Sequence, residues 1–282
     1  MMKKVISASR RTDLVAFFPE WLSSVIKEEK AQVYGPRGRV YSVDLKPEHV
    51  HTVVLWSKNF KNLLENRHQL REGLKKYDQT YFHFTVTGLG GSLIEKQVPQ
   101  PETALGQLEP LVELAGRPER VSLRFDPVVY WVEGGTIQTN LSFFEKLAPR
   151  AGRLGVRAIR FSFAQWYGKS RRRAAKRGFA YVDPSLDEKR KAALVLSDIA
   201  KAWGVRLFSC SQDFLAAVPG IGPSSCIDGA LLQRLHPSGE PVSLLKDKTQ
   251  RRECHCTQSV DIGSYTQSCP HSCLYCYANP RL

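Results

Sequence analysis

Short apolar runs, rich in β-branched and aromatic residues, alternate with amphipathic helical patterns along most of the chain. Six runs predict β-strands, at residues 3–9, 51–57, 80–88, 120–131, 156–165 and 204–212. Four longer stretches predict helices, at residues 19–31, 59–77, 101–116 and 185–204. Strands that alternate with helices build βαβ units and a parallel sheet. The sequence therefore predicts an α/β fold of six or more parallel strands. A barrel-like sheet, as in a partial TIM barrel, is favoured over an open doubly wound sheet.

Polar side chains gather at the ends of five predicted strands. In parallel α/β folds, ligands bind at the carboxyl ends of the strands. One buried arginine or aspartate can simply anchor a loop through an ion pair, but the convergence of several strand ends favours a polar pocket. The residues expected there are Ser9, Arg10, Arg11, Asp13, Lys58, Asn59, Thr85, Thr87, Arg124 and Asp126.

The chain is strongly basic, with a formal net charge of +14 over 282 residues. The excess is concentrated between Arg150 and Arg177, where ten Lys or Arg residues occur without a single Asp or Glu. Such a run predicts a polyanionic partner such as nucleic acid. The alternative is a flexible, solvated basic loop.

The chain carries seven cysteines, and none of them precedes Cys210. The number is odd and the amino-terminal "MMKKVISASRRTD" lacks the apolar core of a signal peptide, so a secreted disulfide framework is not expected. No stretch reaches the roughly 18 apolar residues of a membrane helix. We therefore expect a cytoplasmic protein without a membrane partner, in which clustered cysteines bind metal.

The strand–helix pattern gives way near Ile221 to a segment rich in Gly, Pro and Cys, with one helix predicted at residues 226–236. This change predicts a barrel-like domain at 1–220. The cysteine-rich segment at 221–282 is expected to pack on the same domain and close its active end.

Three of the cysteines, Cys269, Cys273 and Cys276, follow the pattern C-x-x-x-C-x-x-C. Three thiolates from one tight loop can hold three corners of a [4Fe–4S] cluster and leave the fourth iron open to a small molecule. A structural zinc ion is the competing interpretation. Zinc takes four ligands, and His271 or a distant cysteine would supply the fourth.

The stretch "CPHSCLYCYA" at 269–278 resembles the cluster loop of radical S-adenosylmethionine enzymes. The resemblance implies that Cys269, Cys273 and Cys276 bind the cluster and that Tyr275 lies beside the adenine of S-adenosylmethionine. The open iron would chelate the cofactor. An electron donor such as flavodoxin or ferredoxin would drive its cleavage to a 5′-deoxyadenosyl radical.

On that resemblance, the strand-end residues divide into two roles. The residues expected to act on the substrate are Arg10, Arg11, Asp13, Lys58, Arg124 and Asp126. The residues expected to contact the cofactor, besides Tyr275, are Ser9, Asn59, Thr85 and Thr87. The radical enzymes carry the cysteine loop after the first barrel strand, whereas here the repeats precede it, as in a circular permutation.

A second resemblance covers nearly the whole chain. The stretches "ISASRRTDLVAFFPEW", "LWSKN", "FTVTG", "LRFDPVV" and "CHCTQSVDIGSYTQSCPHSCLYCYAN" are similar to an uncharacterised bacterial family, the domain of unknown function 1848. The family carries the same cysteine cluster, and its name supplies no activity.

Four further cysteines remain, Cys210, Cys226, Cys254 and Cys256. Four thiolates are what a fully ligated [4Fe–4S] cluster or a structural zinc ion requires, so this set predicts a second cluster, with zinc or plain thiols as alternatives. Two other functions stay open. One is a nucleic-acid repair or modification protein that uses the basic 150–177 segment, and the other is a zinc-stabilised binding protein without catalysis.

Overall fold

A sheet of eight parallel strands forms the centre of the protein, whose computed structural model describes residues 2–278 and Pro280. The strands are β1 (Lys4–Ala8), β2 (Val50–Ser57), β3 (Thr80–Thr85), β4 (Val121–Val128), β5 (Ala158–Phe163), β6 (Arg206–Ser209), β7 (Ile221–Pro223) and β8 (Val260–Asp261). The first six confirm the six predicted strands. The parallel sheet confirms the α/β class.

The strands lie side by side in nearly the order of the chain, β7–β6–β5–β4–β3–β2–β1–β8. Ile6 of β1 pairs with Val53 of β2 on one side and with Val260 of β8 on the other. Among the described residues β7 and β8 do not pair, so the sheet is open between them. Across this opening the Thr257 amide donates to the Ile227 carbonyl at 2.9 Å. This order is compatible with a partial barrel.

The two faces of the sheet differ in character because successive side chains of a strand alternate between them. Val53 and Leu55 of β2 pack with Leu14 and Leu22 from the surrounding helices. Val54, between them in sequence, belongs to a second cluster on the other face, with Tyr81 and Cys226. The polar residues at the strand ends lie on the side of this second face.

In the described residues, ten helices surround the sheet or lie in its connections. They are α1 (Leu14–Phe17), α2 (Pro19–Lys27), α3 (Lys61–Leu64), α4 (Leu70–Leu74), α5 (Pro101–Gly106), α6 (Leu108–Ala115), α7 (Phe144–Arg153), α8 (Gly168–Lys176), α9 (Leu186–Ala202) and α10 (Gly229–Leu235). Short 3-10 turns occupy Pro36–Gly38, Pro47–His49, Arg67–Gln69, Pro118–Arg120, Leu141–Phe143 and Asp213–Leu215. None of the helices in the described part of the chain is long and apolar enough to cross a membrane.

Two predicted helices are interrupted. The stretch predicted at 59–77 is α3 and α4, because Asn66, His68 and Gln69 between them have positive φ angles of 53°, 53° and 58°. The stretch predicted at 101–116 divides into α5 and α6 around Gln107. By contrast, α9 confirms the helix predicted at 185–204. A capping box formed by Ser185 and Glu188 fixes its start.

The described part of the chain also forms two small sheets outside the main one. The predicted helix at 19–31 ends at Lys27, and an antiparallel pair of strands follows at Lys30–Tyr34 and Val40–Asp44. The predicted strand at 120–131 ends at Val128. A further sheet contains Tyr130–Glu133, Thr136–Thr139 and Tyr181–Val182.

Candidate metal centre

All seven cysteines line one cavity, of about 240 Å³, at the carboxyl ends of the strands. Cys210 follows β6 and Cys226 follows β7, whereas Cys254 and Cys256 precede β8. The remaining three, Cys269, Cys273 and Cys276, lie in the loop after β8. None of the seven forms a disulfide. Thiols that are separated by up to 66 positions in the sequence therefore meet in a single site.

Most of the polar residues predicted at the strand ends line the same cavity, together with Tyr275. They are Ser9, Arg10, Arg11, Asp13, Lys58, Thr85, Arg124 and Asp126. Asn59 and Thr87 are not among its lining residues. Asn59 Oδ1 accepts a hydrogen bond from Gln107 Nε2 at 2.9 Å, and Thr87 Oγ1 accepts one from the Leu89 amide at 3.3 Å. These two side chains support loops near the site.

Asp13 connects the cysteine loop to the strand ends. Its carboxylate accepts hydrogen bonds from Ser57 Oγ at 2.8 Å and from the Lys58 amide at 2.9 Å. His271, inside the loop, places Nε2 2.8 Å from Asp13 Oδ2 and Nδ1 3.1 Å from the Gln97 carbonyl. Both residues are buried. The loop is therefore fixed between two other parts of the chain.

Lys58 and Tyr275 share one buried partner, Glu95. Lys58 Nζ lies 2.8 Å from Glu95 Oε1, and the Tyr275 hydroxyl donates to the same oxygen. The Glu95 side chain is 0% exposed and that of Lys58 13%. Burial, the largest single cause, would lower the pKa of Lys58, but the Glu95 charge and hydrogen bond together with the charges of Cys273 and Asp126 outweigh it, and the pKa is raised. Sequence reasoning missed Glu95 because it lies in the long loop after β3, ten residues beyond the end of that strand.

Arg173, from the basic segment, contacts the cysteine loop instead of solvent. Its Nη2 donates to the Cys276 carbonyl, and the side chain is buried. Burial lowers the pKa of Arg173, while the thiols of Cys276 and Cys273 act in the opposite direction. The neighbouring Arg171 and Arg172 are exposed. The basic run therefore does not form one solvated surface.

Burial raises the pKa of all three thiols of the cysteine loop. The pKa of Cys269 rises to about 12, with a further contribution from the Asp13 charge. The pKa of Cys273 is raised well above its ordinary value, and that of Cys276 is also raised. Without metal these thiols are neutral. A bound metal must therefore displace their protons.

The other four thiols are held by one another and by Arg124. The sulfurs of Cys210 and Cys226 are 3.7 Å apart, and Arg124 Nη1 donates to Cys226 Sγ at 2.7 Å. Hydrogen bonds from Cys210 and Cys256, with the Arg124 charge, hold the pKa of Cys226 well below its ordinary value. A hydrogen bond from Cys256 lowers the pKa of Cys254 to about 6. Two of the four are therefore poised as thiolates, the form that binds metal.

The spacing of the sulfurs indicates which of them could share a single metal ion. A tetrahedral zinc ion with Zn–S bonds of about 2.3 Å brings its sulfurs to roughly 3.8 Å from one another. Within the described residues, no three of the seven sulfurs lie within 4.8 Å of one another. Cys210 and Cys226, 3.7 Å apart, match the zinc spacing as a pair.

Positive charge exceeds negative charge around the cavity. Two carboxylates, Asp13 and Asp126, face five cationic side chains, which are Arg10, Arg11, Lys58, Arg124 and Arg251. Arg10 Nη2 is buried without a hydrogen-bond partner. An excess of cations stabilises thiolates, anionic clusters and anionic ligands alike.

Asp261 of β8 holds β1 to the site. Its carboxylate accepts hydrogen bonds from Ser7 Oγ and Ser9 Oγ at 2.9 and 2.8 Å and from the Arg10 amide at 2.9 Å. Arg11 Nη1 donates to the Gly263 carbonyl at 2.8 Å. Ser9 and Arg11 therefore also tie the approach to the cysteine loop to the end of β1. Sequence reasoning missed Asp261 because a two-residue strand has no detectable periodicity.

These features define a parallel α/β protein with a thiol-lined cavity at the carboxyl ends of its strands. The chain belongs to the family described as domain of unknown function DUF1848, which matches residues 5–278. No curated protein matches the chain. Among solved structures, a D-hydantoinase from Bacillus sp. AR9 is 12% identical, with a TM-score of 0.34, over 86% of this chain and 45% of that one. The chain thus spans less than half of that protein, and likeness at this level carries no argument about function.

Proposed function

We propose that the protein is an iron–sulfur enzyme of the radical S-adenosylmethionine type, with a [4Fe–4S] cluster on Cys269, Cys273 and Cys276. The position of the cysteine loop carries the proposal. It leaves β8, which lies at the edge of the sheet beside β1. Followed from β8 to β7, the sheet has the loop after its first strand, as in the enzymes that the loop resembles. On this proposal the sheet is a partial TIM barrel, and the cysteine-rich segment covers its active end.

When bound, the cluster supplies an open coordination position for S-adenosylmethionine and an electron for its reductive cleavage. The chain holds and shields that group. Lys58 and Arg173 would place positive charge beside the thiolates, and Tyr275 would lie beside the adenine. Arg10, Arg11, Arg124 and the carboxylates of Asp13 and Asp126, which line the cavity, would orient the substrate, and Ser9 and Thr85, which line the same cavity, would contact the cofactor.

Anaerobic reconstitution with iron and sulfide tests the proposal. We expect a brown protein that forms 5′-deoxyadenosine from S-adenosylmethionine in the presence of a strong reductant. A Cys269→Ala/Cys273→Ala/Cys276→Ala variant should lose this activity and the iron of the first cluster. A wild-type protein that binds iron but never cleaves the cofactor would refute the enzyme, and zinc without iron or sulfide would indicate a zinc-stabilised binding protein.

For the remaining thiols, we propose a second [4Fe–4S] cluster on Cys210, Cys226, Cys254 and Cys256. The hydrogen bond from Arg124 to Cys226 supports an electron-transfer role, since donors to cluster sulfurs tune reduction potential. A carrier of the flavodoxin or ferredoxin class would deliver electrons in a reducing cytoplasm, where free thiols persist. A Cys254→Ser/Cys256→Ser variant should retain about half of the reconstituted iron. Full retention would assign the set to plain thiols.

Nucleic acid is the substrate class that we propose for this chemistry. On α8 the side chains of Arg171, Arg172 and Lys176 are exposed. Tyr277 is 54% exposed, lines the thiol cavity and shares an adjoining cavity with Lys169 and Tyr265, which is 50% exposed. Cationic side chains beside accessible aromatic rings suit a single-stranded backbone with unstacked bases.

Salt-dependent binding of single-stranded DNA and RNA tests this substrate class. In an Arg171→Gln/Arg172→Gln variant the slope of log affinity against log salt should fall by about 1.4, the value for two lost phosphate contacts. The matched control is Arg71→Gln/Lys75→Gln, which removes the same charge beside the amino end of β3. An equal effect of both pairs would refute a specific surface at α8.

A further inference from the structure

We infer that Asp78, His236 and Glu240 form a binding site for a divalent transition-metal ion at the end of the sheet opposite to the cysteines. Asp78 lies two residues before β3, and His236 follows α10 directly. One ligand atom from each of the three lies within 4.8 Å of the other two. No residue of the proposed cluster chemistry takes part, so the site is independent of it.

His236 is the feature that distinguishes this group from an ordinary acidic cluster. Its side chain is 2% exposed, and Nε2 is buried without a hydrogen-bond partner. Nε2 lies 3.8 Å from an oxygen of Asp78 and 3.8 Å from an oxygen of Glu240. Donors about 2.1 Å from a tetrahedral ion are roughly 3.4 Å apart, so small side-chain movements suffice.

The surroundings of His236 fix its orientation. Nδ1 lies 3.0 Å from Ser238 Oγ and 3.4 Å from the Ser238 amide nitrogen, so Ser238 holds the ring; a metal at Nε2 takes the tautomer in which Nδ1 carries the proton and donates to Ser238 Oγ. The ring of His51 packs against it, with centroids 4.5 Å apart. His51 Nε2 also donates to the Glu240 carbonyl at 2.8 Å, which places Glu240 beside the imidazole. Metal-ligating histidines are held in this manner by a partner at the second nitrogen.

Lys3 occupies the position of a competing cation. Its Nζ lies 3.1 Å from Asp78 Oδ2 and 2.9 Å from Glu240 Oε2. An ammonium group neutralises the carboxylates but makes no use of the His236 lone pair. A dication adds one charge and a coordinate bond to that nitrogen. An imidazole with two carboxylates suits Mn²⁺ or Zn²⁺ better than Mg²⁺ or Ca²⁺, which prefer oxygen alone.

The site lies at the opening of the sheet, where no strand pairing among the described residues joins β7 to β8. Residues 224–259 cross the opening between β7 and β8 and contain α10, His236 and Glu240. An ion shared with Asp78 would join this segment to the start of β3. We therefore assign the metal a stabilising role, in keeping with the amino-terminal face of barrel-like sheets.

Mn²⁺ is the probe of choice, because thiols discriminate against it and the cysteine cavity will not compete. During titration, the loss of the electron paramagnetic resonance signal of free Mn²⁺ should indicate one bound ion per chain. Binding should also raise the midpoint of thermal unfolding. Asp78→Asn and His236→Asn should each weaken binding tenfold or more, and Lys3→Met should strengthen it several-fold.

His49→Gln is the matched control, because it removes an exposed imidazole 2.7 Å from the Asp44 carboxylate. It should leave Mn²⁺ affinity unchanged. Because Asp78 is 52% exposed, the Asp78→Asn variant tests the site even if His236→Asn does not fold. Unchanged affinity in Asp78→Asn, or no bound Mn²⁺ in both the wild type and Lys3→Met, would overturn the inference.

Discussion

His271 Nε2 lies 2.8 Å from Asp13 Oδ2, and this contact spans 258 positions of the sequence. It joins the centre of the cysteine loop to the residue that caps α1, because Asp13 Oδ1 also accepts a hydrogen bond from the Ala16 amide at 2.9 Å. The same carboxylate accepts hydrogen bonds from Ser57 Oγ and from the Lys58 amide. One side chain therefore organises the ends of β1 and β2 and the loop that carries three thiols.

Replacing this carboxylate should loosen the cysteine loop. In Asp13→Asn, the amide group cannot satisfy every donor, and a buried unsatisfied group costs about 1–3 kcal/mol. We expect the free energy of unfolding to fall by that amount in chemical denaturation. Iron retained after reconstitution should fall with it. Asp44→Asn, at an exposed carboxylate, is the control and should leave the iron content unchanged.

Arg173 should matter for the metal centre in a way that its neighbour does not. Arg173→Gln removes the buried donor to the Cys276 carbonyl, whereas Arg172→Gln changes an exposed side chain on the same helix. We expect faster loss of iron to a chelator in the first variant and a wild-type rate in the second. Equal rates would show that the contact does not support the loop.

Removing only one charge of the Lys58–Glu95 pair should lower the free energy of unfolding. Glu95→Gln leaves the Lys58 ammonium without a charged partner in a buried position, which costs about 3 kcal/mol. The double variant Glu95→Gln/Lys58→Met removes both charges and should recover much of the lost free energy of unfolding. The exposed pair Lys75 and Glu72 provides the control, and Glu72→Gln should have no measurable effect. Additive single and double effects would contradict the pairing.

His83 should make the protein less stable in mild acid. Burial, with the charges of Arg160 and Arg124, lowers its pKa well below the ordinary 6.5, and Nε2 donates to the Cys226 carbonyl at 2.7 Å. Below about pH 6.5 the unfolded chain protonates His83, whereas the folded chain does not. The free energy of unfolding then falls by about 1.4 kcal/mol per pH unit from this residue, and above pH 6.5 His83 contributes no slope.

Denaturant unfolding of the wild type and His83→Gln between pH 7 and pH 5 measures this slope. The variant should have a shallower dependence on pH, although it is less stable at pH 7 because the ring stacks on Trp56 with centroids 4.1 Å apart. His68→Gln, at an exposed position, should keep the wild-type slope. Identical slopes in His83→Gln and the wild type would contradict the lowered pKa.

Strands are predictable from the sequence where they are long enough to show a periodic pattern of apolar residues. β2 has eight residues and β4 has eight, and both were detected from their apolar runs. β7 and β8 have three and two residues, which is too short for any periodic signal. Their place in the sheet comes from pairing with distant strands. The strand at Lys30–Tyr34 was missed because its alternation continues the amphipathic pattern of α2.

The candidate site was predictable where it follows directly from strand geometry. Arg124 and Asp126 are two positions apart on β4, so a strand places them on one face, and both line the cavity. Glu95 and Asp261 depend on how loops fold back. Likewise, the contact between Asp13 and His271 depends on tertiary structure, because nothing in either local sequence indicates the other. The role of Arg173 was hidden within a run of exposed charges.

The pairing of β8 with β1 also has a consequence for biosynthesis. The ribosome makes β1 to β7 first, and β8 with its cysteine loop emerges after them. The register of Ile6 with Val260 can form only at that stage, and it closes a very long loop. Cys269, Cys273 and Cys276 are therefore the last of the seven cavity-lining thiols to leave the ribosome. A maturation factor that loads metal into all seven thiols could therefore act only after β8 and its cysteine loop have been made.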